Sequence, residues 1–459
     1  MNRPRLIINA FTMNTVSHIS HGLWRHPADR QADYTNLHMW LDLARLLERG
    51  RFDAIFFADT LGVGGSYRGS SDIWFENGLQ VPGNDPSVLA SGIAAVTDHL
   101  GIIYSSSVLQ EHPFNFARRA STLDHLTGGR IGWNIVTSPM LNAANNFGHH
   151  TLVEHDERYR WAQEYLDVTY KLWEQSWDDD AVLRDAATGI YADPRKIHRI
   201  DHHGERYNVA GPHLCEPSPQ RTPVLFQAGS SPAGLAFAAT HAEAAFIMAP
   251  SPQHAATHIA RSRQIAANLG NGARVPIHIQ GLSFVVGATE SEARRREREI
   301  DEWISIDALL AHMSRDIGID LGHADPNDPI DTIDAESLET VRGLISQVID
   351  AAPPGRRPTI ADLAQLHGTR TRIVGTPEQI ADRLEQWQDA GIGGINVIAH
   401  GNPQTWNDFI DHVMPTLRSR GLAQREYSPG TLREKLFGRR PHLPDDHPAR
   451  RYRHTQGNA

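Results

Sequence analysis

The sequence contains a single cysteine, Cys215, among its 459 residues. One cysteine cannot form an intramolecular disulfide or a cysteine-based zinc site, and such sparse use is typical of a reducing compartment. No apolar run reaches 18 residues, and the apolar stretch at residues 6–10 is too short for a signal sequence. We therefore expect a cytoplasmic protein that does not bind a membrane.

The chain also has no excess of positive charge, since its formal net charge is −10. The basic run at residues 294–296 lies between acidic residues, which is typical of a solvated helix face. We expect no nucleic-acid partner.

Several catalytic signatures do not occur in the chain. It has no His-Glu-x-x-His zinc motif, no Gly-x-Ser-x-Gly nucleophile motif, and neither a Walker loop nor a dinucleotide-binding glycine motif after a strand. His254 and His258 are four residues apart, but on a predicted helix far from any strand end. We predict no metal site, although 26 histidines keep a metal-dependent barrel hydrolase open as an alternative.

Eight short apolar segments are present and alternate with helical patterns. Most are apolar throughout, as in a parallel sheet that is covered on both faces, and eight such units predict a (β/α)8 TIM barrel with insertions. The predicted strands are residues 6–11, 54–58, 101–108, the run between Gly129 and Thr137, 223–228, 244–248, 277–286 and 394–399.

We interpret the whole chain, residues 1–459, as one barrel domain with four additions. Residues 61–84 form a loop longer than a connection needs, which predicts a wall or lid of a site. Residues 178–220 form an irregular insertion and residues 290–350 a helical one, while residues 427–459 form an extended C-terminal tail.

Polar groups follow several predicted strands, at the edge where barrel enzymes bind ligands. Asp59 directly follows one strand and Ser105 lies near the end of the next. Asn134 lies inside an apolar strand, where an unpaired amide would cost about 1–3 kcal/mol. Asn134 must therefore be paired, either within the protein, which is the commoner case, or by a ligand. Asp59 could equally cap its loop or contact a ligand.

Two predicted helix starts carry groups that could bind an anion. His155 and Tyr159 are four residues apart at one start, so they share a face. Ser230 and Ser231 follow Gly229 at the other. Free N–H groups and the helix dipole attract anions at such a start, so together they could form a phosphate cradle. Individually, each is also explained by ordinary helix capping.

These motifs resemble the bacterial-luciferase-like flavin monooxygenases, in the branch that oxidises nitrilotriacetate, dibenzothiophene sulfone and dimethyl sulfide. The resemblance covers nearly the whole chain, and residues 80–86 and 215–220 are most similar to members that act on dimethyl sulfide. It rests on residues 24–27, 47–53, 121–138, 155–159, 211–220, 223–231 and 427–433.

The resemblance implies an enzyme that takes reduced FMN from a separate NADH-dependent flavin reductase and uses O2 to oxygenate a small organic molecule. It implies a homodimer or homotetramer. In family positions, Asp59 and Ser105 would line the flavin ring side, and Asn134 would contact either the ring or the ribityl chain. The phosphate side would be formed by His155, Tyr159, Ser230 and Ser231.

His18, beyond the first strand, is our candidate for a catalytic acid or base, and its alternative is a histidine packed against Trp24. The expected substrate is an organosulfur compound such as dimethyl sulfide. An aminocarboxylate or an aryl sulfone, oxygenated by the same chemistry, stays open, as does a barrel that binds flavin without turnover.

Overall fold

Eight parallel strands close into a barrel in the computed structural model, which describes residues 4–138, 140–270, 273–333, 345, 348, 349 and 355–453. The closed ring has the order β1-β2-β3-β4-β9-β10-β11-β13, and β13 pairs with β1. The predicted barrel is confirmed. In chain order the strands are β1 (Ile7–Met13), β2 (Ala54–Ala58), β3 (Gly101–Ser107), β4 (Ile131–Val136), β5 (Val182–Asp185), β6 (Ile190–Ala192), β7 (His202–His203), β8 (Asn208–Val209), β9 (Val224–Gln227), β10 (Ala244–Ile247), β11 (Ile277–Val286), β12 (Arg372–Gly375) and β13 (Gly394–Ile398).

Helices cover the outside of this barrel and both of its ends. Most begin with a side-chain cap, such as Ser231, whose Oγ accepts a hydrogen bond from Gly234 N. The described helices are Leu37–Arg49, Asp72–Asn77, Leu89–Ala94, Pro113–Leu126, Leu141–Asn146, His155–Tyr170, Pro232–His241, Pro252–Leu269, Glu290–Asp301, Ile306–Ile317, Ile360–Thr369, Pro377–Asp389, Gln404–Asp408, Met414–Ser419 and Leu432–Phe437. Within the described ranges, none is long and apolar enough to cross a membrane.

The barrel strands are mostly apolar because both of their faces are buried. In β1 all seven residues are buried, with Ile8 and Ala10 in the outer core beneath the helices. Phe11 belongs to a separate cluster with Phe56 and Phe226, which fills the barrel interior. Alternate residues of one strand therefore serve two cores, as barrel geometry requires.

Five short strands were missed by the sequence-based prediction, namely β5 to β8 in the 178–220 insertion and β12. Strand β12 adds to the sheet of the barrel. It has only four residues and pairs with Ser283–Val286, the half of β11 that extends beyond the closed ring. Strand β12 therefore lies outside the closed ring.

One predicted helix, residues 85–99, is shorter than expected and ends at Ala94. The following N–H groups are held elsewhere, because Glu48 Oε1 accepts hydrogen bonds from the backbone of Asp98, His99 and Leu100. A carboxylate from another helix thus replaces the last helical turn.

The C-terminal tail contains a helix, Leu432–Phe437, and so differs from the extended segment expected from the sequence. Thr431 and Glu434 form its capping box. Leu432 is fully buried in the interior cluster with Ile7, Ala54 and Val224, which begin their strands. This helix therefore closes the N-terminal end of the barrel.

The opposite end is covered by the 61–84 loop and the helices after residue 290. Tyr67 and Trp74 of the loop share a second hydrophobic core with Leu310, Met313 and Leu363. We call this unit the lid.

Parts of three sequence predictions lie outside the described residues. They are residues 334–344, 346, 347 and 350 of the helical insertion, residues 454–459 of the tail, and Pro139, which follows the motif at 127–138. The insertion at 178–220 contains two short antiparallel hairpins, β5–β6 and β7–β8.

Candidate active site

The three residues predicted for the ring side come together at the ends of β2, β3 and β4. Asp59 and Ser105 line one cavity, which we call the mouth cavity, with Met140 and Ala143 on its far wall. Ser105 and Asn134 are paired in the parallel register of β3 and β4. Tertiary structure thus joins positions that lie 75 residues apart in the chain.

Only one end of the Asn134 amide has a hydrogen-bond partner in the protein. Its Nδ2 donates a hydrogen bond to Ser105 Oγ at 2.9 Å, and Ser105 Oγ donates to the Phe57 carbonyl at 3.1 Å. Its Oδ1 is buried and has no hydrogen-bond partner among the described residues. A buried acceptor without a donor is destabilising, so Asn134 has a free group that a ligand could satisfy.

Asp59 lies in an environment that disfavours its charge. Burial, with a smaller contribution from Asp85, raises the pKa of the Asp59 carboxyl to about 7. Its Oδ1 accepts a hydrogen bond from Thr60 N at 2.9 Å, which partly opposes this shift. The carboxyl therefore exchanges a proton near neutral pH and can donate or accept a hydrogen bond in the mouth cavity.

The two predicted helix starts also come together, through Tyr159. A Cβ placed on Gly229 or on Gly234 would lie 2.7 Å from the Tyr159 hydroxyl, so only glycine allows this close approach. Ser231 caps the helix Pro232–His241, while Ser230 is exposed beside it. The tyrosine hydroxyl therefore lies beside a helix start, where the helix dipole favours an anion.

His155 is less closely involved. It is exposed, and its Nδ1 is 2.7 Å from Asp156 Oδ1, although its ring lies 5.3 Å from that of Tyr159. In contrast Arg158, which the sequence reasoning did not select, is only 8% exposed, and its Nε has no partner among the described residues. The buried guanidinium of Arg158, one residue before Tyr159, adds positive charge to this helix start. Because Arg158 lies within the 155–159 motif, the sequence could have indicated it.

His18 lies above the barrel interior. Among the described residues, its ring forms no aromatic pair with Trp24, the packing partner considered above. Its ring packs edge-to-face on Phe11, with centroids 4.6 Å apart. It lines a small cavity with Thr12, Val16 and Ala399, which we call the His18 cavity. Burial and the Arg315 charge lower the pKa of His18 to about 3, so its imidazole is neutral at physiological pH.

A chain of buried histidines, also missed, links this region to the lid. Ser17 Oγ is 2.8 Å from His21 Nδ1, and His21 Nε2 is 2.7 Å from His312 Nδ1 on the lid helix Ile306–Ile317. Arg315 of the same helix donates to Gln80 Oε1 at 2.7 Å. The Arg315–Gln80 bond lies within the lid, whereas the His21–His312 bond and a hydrogen bond from Gln80 Nε2 to the His18 carbonyl at 2.9 Å hold the lid on the segment after β1.

The arrangement defines a class of protein: a parallel barrel enzyme that can hold a phosphate-bearing cofactor across its mouth. Asn134 and Asp59 would face one end of such a cofactor, and Tyr159 with Ser230 the other. Among the described residues, no group of three or more His, Cys, Asp and Glu side chains could hold a metal ion.

The chain belongs to the luciferase-like monooxygenases, whose family model matches residues 18–393. It is 44% identical over 460 residues to a long-chain alkane monooxygenase of Geobacillus thermodenitrificans, covering 99% of each chain. It is 40% identical to the dimethyl-sulfide monooxygenase of Hyphomicrobium sulfonivorans, over 98% of this chain and 94% of the relative. The predicted family is confirmed, and the protein is a flavin-dependent monooxygenase.

Solved structures agree with this assignment. The long-chain alkane monooxygenase LadA superposes with a TM-score of 0.89, over 98% of this chain and 99% of LadA. DmoA from Hyphomicrobium sulfonivorans gives a TM-score of 0.91, over 98% of this chain and 96% of DmoA. A riboflavin lyase, 34% identical and solved with a modified FMN, gives 0.86, over 98% of this chain and all of the lyase.

Proposed function

We propose that the protein is the oxygenase of a two-component system that uses reduced FMN and O2 to oxygenate a small neutral aliphatic molecule, such as a dialkyl sulfide or an alkane. The relatives that share 44% and 40% of its residues carry those two substrates in their names. The observation that carries the proposal is the buried, unpartnered Asn134 Oδ1 in the same mouth as a tyrosine hydroxyl at a helix start.

The chain has groups that fit both ends of FMN. The phosphate would be held by Tyr159, Arg158 and the helix start after Ser230, a combination of charge, hydroxyl and helix dipole that suits a dianion. The ring would be held by Asn134 and Asp59, which offer an acceptor and a carboxyl that can change protonation. When bound, reduced FMN supplies the two electrons that allow one atom of O2 to enter the substrate while the other leaves as water.

The protein's own contribution is to orient the reactants and to exclude water. The lid core around Trp74 and Met313 makes the barrel mouth a dry compartment, since bulk water would divert reduced flavin and O2 into side reactions. His18, neutral and lining the cavity above Phe11, is our candidate for the group that accepts or donates a proton at the substrate.

The substrate class follows from the charges at the mouth. Of the described residues that line the mouth cavity and the His18 cavity, none is lysine or arginine, and the charged ones are Asp59 and Asp29. Arg315, whose charge reaches His18, lies outside both linings and is paired with Asp316 at 2.7 Å, so a carboxylate substrate would find no free cation to bind it there. This favours a neutral aliphatic molecule over an aminocarboxylate, although the nitrilotriacetate monooxygenase component of Aminobacter aminovorans is 33% identical.

A second protein must supply the reduced flavin. Two relatives are named as single parts of larger enzymes, one of a nitrilotriacetate monooxygenase and one of a pristinamycin IIA synthase, which points to systems with a separate partner. We propose an NADH-dependent flavin reductase in this role and a homodimer or homotetramer as the oxygenase.

The test is reconstitution of the purified chain with a flavin reductase, FMN, NADH and O2. We expect dimethyl sulfide or decane to be consumed only in the complete mixture, with one 18O atom from 18O2 in the product. Each omission, of reductase, FMN or O2, serves as a control. Consumption of nitrilotriacetate without that of neutral substrates would overturn the substrate class, and tight FMN binding without any turnover would indicate a non-catalytic barrel.

A further inference from the structure

A third cavity, besides the mouth cavity and the His18 cavity, lies beside the barrel mouth and has a volume of about 330 Å³. It lies between the end of β11, the helix Glu290–Asp301 and the helix Gln404–Asp408. We call it the side cavity. Such a volume is in the range of small-molecule sites. Apolar side chains form much of its wall, namely Leu23, Phe284, Val286 and Ile300.

The side cavity and the His18 cavity are neighbours that share part of their walls. Leu23, Asp29 and His400 line both, together with the backbone of residues 401–402. The lining of the side cavity also includes Ala28 and Glu299, which are exposed. A path therefore runs from solvent, through the side cavity, to the shared wall and the residue we assign to proton transfer.

His400 has an unusual place in this shared wall. It is 8% exposed, and its Nδ1 lies 2.9 Å from Ser20 Oγ. Its Nε2 is buried without a hydrogen-bond partner among the described residues. Burial and the charge of Arg372 keep the pKa of His400 well below its usual value, so the ring is neutral and compatible with an apolar neighbour.

The charged groups of the side cavity are already engaged. Arg296 pairs with Glu292 at 3.0 Å and lies 3.5 Å from Asp408. Glu299 pairs with Arg295 at 2.6 Å, and Asp29 accepts hydrogen bonds from the backbone of Gln31 and Asn402. No arginine of the described lining is left to bind an anionic ligand, so the cavity suits an uncharged, apolar one.

We propose that the side cavity binds the distal aliphatic end of an elongated neutral substrate, and that Leu23 and His400 form the partition through which this end passes. The inference rests on the proposed function, because it assumes that the reacting end lies beside His18. It adds a prediction of size selectivity: a substrate as short as dimethyl sulfide does not reach the side cavity, whereas a long one does.

The test is to fill the side cavity with Ile300→Trp and to compare long and short substrates. We expect kcat/KM for dihexyl sulfide to fall at least tenfold and that for dimethyl sulfide to change less than twofold, with unchanged FMN affinity. The matched control is Arg298→Trp, which adds the same side chain to an exposed position of the same helix. An equal effect on both substrates, or no effect on either, would overturn the proposal.

A second measurement does not depend on turnover. Crystals of the wild-type protein soaked in 1-iodooctane should show anomalous iodine density in the side cavity, and crystals of Ile300→Trp should not. Iodine density confined to other sites in the wild-type crystals would refute the proposal. If no substrate is oxidised in reconstitution but iodine occupies the side cavity, the proposed reaction fails while the binding site stands.

Discussion

Replacing Asn134 by leucine should stabilise the protein while weakening its flavin binding. The two side chains have similar shapes, so the change removes the amide without opening a large cavity. The protein loses the hydrogen bond from Asn134 Nδ2 to Ser105 Oγ, but it no longer buries the unpartnered Oδ1. Opposite effects on stability and binding are expected of a residue kept for a ligand rather than for the fold.

The magnitude follows from those two groups. The lost hydrogen bond costs about 1 kcal/mol, and removal of an unsatisfied buried acceptor returns about 1–3 kcal/mol. Burial of two methyl groups in place of the amide adds roughly 1 kcal/mol, partly offset by a close contact with Ser105 Oγ. We expect a free energy of unfolding about 1–2 kcal/mol higher without flavin, and FMN affinity lower by about tenfold, or ~1.4 kcal/mol.

The assay is urea unfolding of the flavin-free protein, combined with a fluorescence titration of FMN. Gln280 provides the matched control, because it is a buried amide whose groups are all satisfied. Its Nε2 donates to the Ala249 and Gly281 carbonyls and its Oε1 accepts from Ala249 N. Gln280→Met should therefore destabilise the fold, by about 2–4 kcal/mol.

The reasoning is refuted if both variants destabilise the flavin-free protein to a similar degree. It is equally refuted if Asn134→Leu binds FMN as tightly as the wild type. Either result would make the Asn134 amide a structural group of the barrel.

Three further predictions concern the phosphate side, the pH dependence of stability and the closed end of the barrel. Tyr159→Phe should weaken FMN binding by about 10-fold or more, since a hydrogen bond to a charged group contributes about 1.5–3 kcal/mol, while the urea midpoint of the flavin-free protein stays the same. The pKa of Asp59 is raised from 3.8 to about 7 in the folded protein. Below pH 4 the carboxyl therefore does not affect the free energy of unfolding, whereas between pH 4 and 7 its ionisation lowers that free energy increasingly. Asp59→Asn should therefore match the wild type in urea unfolding at pH 4 and exceed it by up to ~4 kcal/mol at pH 8, and equal stability at both pH values would contradict this. Leu432→Ala should lower the free energy of unfolding by about 2–5 kcal/mol, because Leu432 is fully buried in the interior cluster, whereas Leu183→Ala, at a 49% exposed position, should leave it unchanged within about 0.5 kcal/mol.

The sequence determined the barrel because local patterns report burial directly. Strand β2 is apolar on both faces, which is typical of a covered parallel sheet, and the predicted bounds of β2 and β11 agree with the structure. Glycine at position 229 and the serines that follow it predicted a helix start of the observed kind.

The sequence alone could not determine which partners those residues have. The pairing of Asn134 with Ser105, and the orphan oxygen that remains, depend on the register of two strands. The chain His21–His312 joins positions 291 residues apart, and no local pattern indicates such a contact.

Closure of the two barrel ends was likewise decided by tertiary structure. Helix Leu432–Phe437 inserts Leu432 into the interior, and the lid packs Trp74 against Met313. Apolar periodicity shows that a side chain is buried, but the surface against which it is buried depends on how distant segments meet. The side cavity exists for the same reason, since its walls come from four separate parts of the chain that only the closed barrel brings together.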